Sequence, residues 1–168
     1  MKNVIFFIGF MGAGKTTIGR QLAEKLNINF VDLDEQIEKS AGCIINQIFA
    51  QHGEDYFRDL ETKELAGFKN HVPTVVATGG GIVGREKNWE LMRSHGKVFY
   101  LHADWDTISE RLVDIFKRPL ANNGIDELYK LWVSRLPLYR EADVVVDTNN
   151  LSVDQIVAKI ADILDVDK

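Results

Sequence analysis

The chain has 168 residues, 45% of them hydrophobic and 27% charged, and a formal net charge of −5. A chain of this length predicts a single domain with a substantial core, and its acidic balance argues against a nucleic-acid binder with a broad basic surface. Its single cysteine, Cys43, cannot form an intrachain disulfide and is typical of a protein from a reducing compartment.

The first predicted elements are a strand, a glycine-rich loop and a helix. Residues 4–8 form an apolar run typical of a buried strand, and helical spacing of apolar residues begins after Thr16. Between them, residues 9–16 read GFMGAGKT and fit the phosphate-binding pattern G-x-x-x-x-G-K-T. Because such a loop presents backbone N–H groups and a helix N-terminus, we expect Lys15 to contact the β- and γ-phosphates and Thr16 to ligate Mg²⁺. The sequence therefore predicts binding of a nucleoside triphosphate.

The N-terminal segment has one feature of a secretory signal, since Lys2 precedes an apolar run that ends in small residues. Cleavage there would remove the nucleotide-binding loop, and the run is short for a signal. No stretch of the sequence approaches the ~20 apolar residues of a membrane span. We therefore expect a cytoplasmic protein.

Strand-like and helical patterns alternate along the rest of the chain. The strand-like runs after the first lie at 29–31, 74–77, 98–101 and 144–146. The helical patterns lie at 21–26, 35–41, 46–51, 54–68, 87–95, 105–113, 127–135 and 153–164. This alternation predicts an α/β fold with three layers, a five-stranded parallel sheet flanked by helices, in one domain over residues 1–168. The least regular stretch, 116–126, is the candidate for a mobile loop.

Two carboxylates, Asp32 and Asp34, follow the second predicted strand. Ligands of an open parallel sheet bind beyond the carboxyl ends of its strands, so both residues are candidates for function. One would hold Mg²⁺ through water, and the other would orient or deprotonate a substrate hydroxyl. The alternative is that Asp34 only caps the helix that follows.

Three glycines, Gly79, Gly80 and Gly81, follow the third predicted strand. Glycine is entropically costly, so close approach of the backbone to a ligand explains the triplet better than a flexible connector, which remains the alternative. The four histidines show neither metal-ligand spacing nor a nucleophilic partner, and we expect them at the surface or at helix ends.

Arginines at 58, 118 and 135 are candidates of another kind. Taken alone, Arg58 would be a surface residue paired with its acidic neighbours, and a lone loop arginine such as Arg118 says little. In a phosphotransferase, however, an arginine on a mobile lid stabilises charge on the transferring phosphoryl group. Phe49 and Phe57, which lie near Arg58 in the sequence, are most simply core residues.

In combination, these motifs resemble the shikimate kinase family over almost the whole chain. The matching segments are 9–17, Asp32-x-Asp34, Phe57-Arg58-x-x-Glu61, the glycine triplet, Asn88, 96–101, Arg118-Pro119-Leu120 and Arg135-x-Pro137-Leu138-Tyr139. Each motif is weak alone, but their order and spacing are specific. The resemblance implies a P-loop kinase with a nucleoside monophosphate kinase-like fold. It implies transfer of the ATP γ-phosphate to the 3-hydroxyl of shikimate, giving shikimate 3-phosphate in chorismate and aromatic amino acid biosynthesis.

The resemblance also implies which residues form the site. ATP would contact Gly12, Ala13, Gly14, Lys15, Thr16, Thr17, Arg111 and Arg118, with Thr16 and Asp32 at Mg²⁺. Shikimate would contact Asp34, Arg58, Gly79, Gly80, Gly81, Arg135, Phe49, Phe57 and Glu61. The catalytic residues would be Lys15, Asp34 and Arg118. The family further implies a substrate-binding helical segment at about 33–61, a mobile lid at about 112–124 and a monomer.

Within this set, Arg58 and Arg135 would clamp the shikimate carboxylate, with Glu61 fixing the arginines, and Asp34 would bind the ring hydroxyls. Arg111 would pack near the adenine. The chain departs from the family pattern at Ala121, after Leu120, and at residues 148–150, where a basic residue is common. The alternatives are a related small kinase acting on gluconate or a nucleoside monophosphate, and a catalytically silent relative that serves as a binding or regulatory module.

Overall fold

The computed structural model describes residues 3–68, 72–116 and 122–166. The strands are β1 Val4–Ile8, β2 Asn29–Asp32, β3 Thr74–Ala77, β4 Gly96–His102 and β5 Val144–Asp147. The helices are α1 Lys15–Leu26, α2 Leu33–Ala41, α3 Ile45–Ala66, α4 Glu86–His95, α5 Trp105–Phe116, α6 Asn122–Tyr139 and α7 Val153–Val166, with a 3-10 helix at Ile82–Gly84. The predicted alternation of strands and helices is confirmed.

The strands form one parallel sheet in the order β2-β3-β1-β4-β5. Central β1 is buried on both faces, as its apolar run predicts. Phe6 points to a core shared with α2, α3 and α4, whereas the next residue, Phe7, points to a core shared with α1 and α7. The predicted three layers are therefore confirmed. Because all strands run in one direction, the loops after β1, β2 and β3 emerge at the same edge of the sheet.

Two helices differ from the sequence prediction. The patterns at 46–51 and 54–68 belong to one element, α3, which is interrupted at Gly53 by a non-helical conformation with φ 81° and ψ 177°. Helix α6 begins at Asn122 and continues past Pro137 to Tyr139, so the prediction of an irregular stretch is wrong for residues 122–126. A proline in the last turn removes only one backbone donor, which the helix tolerates. No helix in the described ranges is long and apolar enough to cross a membrane.

Candidate active site

The loop between β1 and α1 forms one side of the site. Gly14 has φ 91°, a left-handed conformation that favours glycine, and α1 begins at the next residue, Lys15. The Lys15 Nζ donates hydrogen bonds to the carbonyl oxygens of Gly9, at 2.7 Å, and Phe10, at 2.9 Å. The ammonium group thus lies across the start of the loop, beside the helix N-terminus where phosphates bind.

The pKa of Lys15 depends on its burial and on the charges around it. Desolvation lowers the pKa of Lys15 from 10.5 to about 8, although the carboxylates of Asp34 and Asp32 favour its charged form. Burial therefore destabilises the charged ammonium group more than these carboxylates stabilise it. The phosphates of a bound nucleotide would supply further negative charge and raise this pKa again.

Thr16 and Asp32 lie together at the start of α1. The Thr16 hydroxyl donates to Asp32 Oδ2 at 2.7 Å. The other oxygen, Asp32 Oδ1, accepts from the backbone N–H groups of Asp34 and Glu35, at 3.0 and 3.3 Å. Asp32 is therefore the N-cap of α2, and the alternative that Asp34 only caps this helix is wrong. The physical reason is that Asp32 has the extended backbone of a cap, whereas Asp34 already lies inside α2.

A cavity of about 290 Å³ lies on the other side of the glycine-rich loop. Arg111 of α5 reaches it and donates from Nη1 to the carbonyl oxygen of Gly12 at 2.9 Å. The cavity is lined by Gly12, Ala13, Gly14, Thr17, Ile18, Arg111, Thr148, Leu151, Val153 and Ile156. Several residues predicted to bind ATP therefore share one cavity with Thr148.

A second cavity, of about 170 Å³, is called here the acceptor pocket. It is lined by Met11, Asp34, Ile45, Phe57, Arg58, Glu61, Gly79, Gly80, Gly81 and Arg135. All but one of the residues predicted to bind shikimate are therefore brought together. The exception is Phe49, which is 37% exposed and packs on Phe57 with ring centroids 4.9 Å apart. Met11 and Ile45 were not predicted from the sequence, because Met11 occupies a variable position of the loop pattern and Ile45 is simply the first residue of a helix.

Arg58 is held by two carboxylates of its own helix. Its Nη1 donates to Glu61 Oε2 at 2.7 Å, and its Nε and Nη2 donate to Glu54 Oε1 at 3.3 and 3.0 Å. Glu61 is fully buried, and burial raises the pKa of its carboxyl group against the opposing effect of Arg58. The expected pairing of Arg58 with its acidic neighbours is thus found with Glu54, whose spacing of four residues is typical of a helical pair.

Gly79, Gly80 and Gly81, called the glycine turn, pack their backbone directly on these charged side chains. A Cβ atom on Gly81 would lie 2.5 Å from Cζ and Nη1 of Arg58, and one on Gly79 would lie 2.9 Å from Glu61 Oε1. At such distances a side chain at either position would force the Arg58 or Glu61 side chain to move. The glycines therefore serve a close approach to the charged wall of the pocket, and the predicted approach to a ligand stays a prediction.

Arg135 of α6 lines the same pocket but, among the described residues, forms no ion pair. No carboxylate of the described residues pairs with it, and its guanidinium lies over the ring of Phe10, 5.9 Å from the centroid. One helical turn on, the buried Tyr139 hydroxyl donates to the Gly80 carbonyl oxygen at 2.6 Å. Burial raises the pKa of Tyr139 to about 12, so this donor stays protonated.

Asp34 presents an unsatisfied acceptor to the pocket. Its Oδ1 is buried and has no hydrogen-bond partner among the described residues, and the same holds for Glu61 Oε1. Burial raises the pKa of Asp34, and the neighbouring Asp32 carboxylate raises it further. Buried acceptors without partners are rare in folded proteins, so a donor from a bound molecule is the expected complement.

One predicted catalytic residue, Arg118, lies outside the described residues, with the rest of 117–121. The remaining parts of the predicted lid, 112–116 and 122–124, belong to helices α5 and α6. Within the part of the chain that the structure describes, no group of three or more His, Cys, Asp or Glu side chains is placed to hold a metal ion.

Known proteins resemble this chain in both sequence and fold. The family model of shikimate kinase matches residues 11–165. The shikimate kinase of Dictyoglomus turgidum is 42% identical over 165 residues, a match that covers 95% of this chain and 96% of that protein. The solved structure of the Acinetobacter baumannii shikimate kinase in complex with shikimate has a TM-score of 0.90 at 37% identity, covering 99% of this chain and 94% of that one. The shikimate kinase structure from Aquifex aeolicus has a TM-score of 0.85 at 35% identity, covering 96% of each chain.

Proposed function

The chain belongs to the shikimate kinase family of ATP-dependent kinases, and from this premise we propose that it transfers the γ-phosphate of ATP to the 3-hydroxyl of shikimate. The products would be shikimate 3-phosphate and ADP, on the route to chorismate and the aromatic amino acids. One observation carries the proposal: Asp34, Arg58 and Arg135 converge in a single pocket of about 170 Å³, which the P-loop residue Met11 also lines.

Arg58 and Arg135 bind the substrate carboxylate. A planar guanidinium matches the geometry of a carboxylate, and charge-assisted hydrogen bonds are the strong ones. Arg135 supports this role because it forms no ion pair with a carboxylate of the described chain. Glu61 holds Arg58 in place by accepting a hydrogen bond from its Nη1 at Oε2, at 2.7 Å. Phe57 lines the apolar side of the pocket, and Phe49 packs behind it.

Asp34 orients the hydroxyl that is phosphorylated and accepts its proton at Oδ1. The unsatisfied Oδ1 atom and the raised pKa of Asp34 support this role. As the hydroxyl oxygen forms its bond to the γ-phosphorus, the bond from that phosphorus to the β,γ-bridging oxygen breaks, and ADP leaves. The proton of the hydroxyl passes to Asp34, and a backbone N–H of the glycine turn at Gly80 helps to orient the ring.

Lys15 and Arg118 stabilise the charge of the transferring group. Lys15 exchanges its two backbone carbonyl partners, Gly9 and Phe10, for phosphate oxygens. Arg118 follows α5, and α5 already contacts the P-loop through Arg111 and Gly12. The role of Arg118 rests on its place in the family motif Arg118-Pro119-Leu120.

Mg²⁺ is the metal that the site would take, held by Thr16 and Asp32. The residues fit, because a hydroxyl and a carboxylate lie 2.7 Å apart at the start of α1 and Mg²⁺ prefers such hard oxygen donors. When bound, Mg²⁺ neutralises charge on the β- and γ-phosphates. Few protein ligands are needed, because Mg²⁺ at such sites is completed by phosphates and water.

The proposal includes the organisation of the chain. Residues 1–168 form a single domain that works as a cytoplasmic monomer, with substrate bound by the segment 33–61 and a lid at about 112–124. Residues of α2 and α3 in the acceptor pocket support the first segment. Closure of the lid would exclude water and so suppress ATP hydrolysis without the acceptor.

A coupled assay of ADP release tests the function. We expect Mg²⁺-dependent turnover that is strongest with shikimate among shikimate, quinate, gluconate and the nucleoside monophosphates. Preference for gluconate or a monophosphate would identify a related small kinase instead. Binding of ATP by folded protein without turnover of any acceptor would support a silent relative and refute the proposal.

A further inference from the structure

A buried polar bridge links α3, α4 and the glycine turn. The Thr62 hydroxyl of α3 donates to Asn88 Oδ1 at 2.7 Å, and Asn88 Nδ2 of α4 donates to the carbonyl oxygen of Ile82 at 2.8 Å. Asn88 is fully buried. Its amide is suited to this place because it accepts on one side and donates on the other. The bridge thus connects α3 to the residue directly after the glycine turn.

The two ends of the bridge adjoin the charged wall of the acceptor pocket. Thr62 follows Glu61, and its hydroxyl also lies 3.0 Å from the carbonyl oxygen of Arg58. Ile82 follows Gly81, whose backbone already touches the Arg58 guanidinium so closely that a Cβ atom would overlap it. At such clearances a shift of α3 relative to the turn of a few tenths of an ångström would move the guanidinium or open a gap beside it.

We propose that Thr62 and Asn88 are positioning residues for the carboxylate of the acceptor substrate. Through the bridge they set the distance between α3 and the glycine turn, and so the place of the Arg58 guanidinium in the pocket. The inference rests on the proposed function in that Arg58 binds the carboxylate of shikimate. Neither residue touches the substrate.

A purely structural role is the alternative, in which Asn88 only satisfies a buried carbonyl group. The chain offers a matched control for that role in the next residue, Trp89. Its Nε1 donates to the carbonyl oxygen of Val83 at 3.1 Å, so it ties the same helix to the same 3-10 helix without contacting Thr62 through this bond. Loss of this hydrogen bond would lower stability without altering the link from α4 to α3.

The test compares Thr62→Val, which removes the hydroxyl at nearly constant shape, with Thr62→Ser, which keeps it. We expect Thr62→Val to raise the KM for shikimate about three- to tenfold, the range for loss of one hydrogen bond. The kcat and the KM for ATP should stay within about twofold of wild type, because the P-loop is untouched. Thr62→Ser should restore the wild-type KM for shikimate. Trp89→Phe should lower Tm and leave this KM unchanged.

An unchanged KM for shikimate in Thr62→Val, or equal increases in the KM values for shikimate and ATP, would overturn the inference. If Thr62→Val folds poorly, Thr62→Ala decides, since alanine is the best helix former. Wild-type turnover is measured first and separates the two proposals. If the wild type prefers another hydroxy acid, the function as proposed fails. The role of the bridge is then tested by measuring the affinity of the same variants for that acid by calorimetry.

Discussion

Replacement of Gly81 by alanine should disturb the acceptor pocket while leaving the fold intact. The backbone of Gly81 has φ −94° and ψ 3°, a conformation open to alanine, so the substitution introduces no backbone strain. Its Cβ atom would lie 2.5 Å from Cζ and Nη1 of Arg58, where ordinary contact begins at 3.4 Å. The guanidinium must therefore move by about 1 Å, which a long side chain can do without unfolding the chain.

The magnitude follows from what this movement disturbs. The Arg58 guanidinium would leave its 2.7 Å contact with Glu61 and with it the position proposed for binding the substrate carboxylate. Hydrogen bonds to charged groups contribute about 1.5–3 kcal/mol, so the affinity for shikimate should fall by about 10- to 100-fold. The KM for ATP should not change, because Gly81 does not line the cavity beside the P-loop.

Initial rates of ADP release, with each substrate varied in turn, measure both effects, and Tm reports folding. Gly84→Ala is the matched control, because it lies in the adjoining 3-10 helix and its Cβ atom would meet nothing within 4 Å. It should behave as wild type. The reasoning is refuted if Gly81→Ala and Gly84→Ala share the same KM for shikimate, or if Gly81→Ala unfolds where Gly84→Ala does not.

Two further predictions concern the sheet and Asp34, the proposed proton acceptor. Gly96→Ala would place a Cβ atom against the backbone carbonyl of Val4, its partner in the β1–β4 ladder. We expect urea titrations to show that the free energy of unfolding falls by roughly 3–5 kcal/mol. A loss below about 1 kcal/mol would contradict this. The pKa of Asp34 is raised by burial and by Asp32, so kcat should fall on acidification at a pH above the usual aspartate range, as the protonated group can no longer accept a proton. Because the pKa of Asp34 is higher in the folded than in the unfolded chain, its ionisation opposes folding as pH rises between these two pKa values. Asp34→Asn should therefore keep at least the wild-type Tm at pH 7 while losing turnover. A wild-type acid limb in the residual activity of Asp34→Asn would exclude Asp34 as the titrating group.

The fold was predictable because its signals are local. The apolar run of β1 and the loop pattern that ends at Lys15 identify a buried strand and a phosphate-binding helix from adjacent residues. The start of α6 at Asn122 was not predictable in this way. Asparagine and glycine are poor helix formers, so the local pattern at 122–124 indicated a loop, and tertiary context overrides such weak preferences.

The candidate site was predictable as a set of residue types and not as a set of contacts. The strand ends identify Asp32 and Asp34, but which of them caps α2 depends on the backbone angle at a single residue. The pattern of three glycines predicts a close approach to a ligand, whereas the structure shows a close approach to protein side chains. That the partner is the Arg58 guanidinium follows only from the distance between α3 and the turn, which packing of distant elements sets.

The two arginines of the acceptor pocket differ in a way that their shared residue type conceals. Arg58 is bound by two carboxylates, Glu54 and Glu61, so the three side chains together carry no surplus positive charge. Arg135 forms no ion pair with a carboxylate of the described chain, so in the proposed role its charge would attract the anion. Arg58, fixed between Glu61 and the backbone of Gly81, supplies a rigid direction for hydrogen bonds. In the proposed role, the two arginines would combine charge from one helix with geometry from another, and so would select a carboxylate by shape as well as by sign.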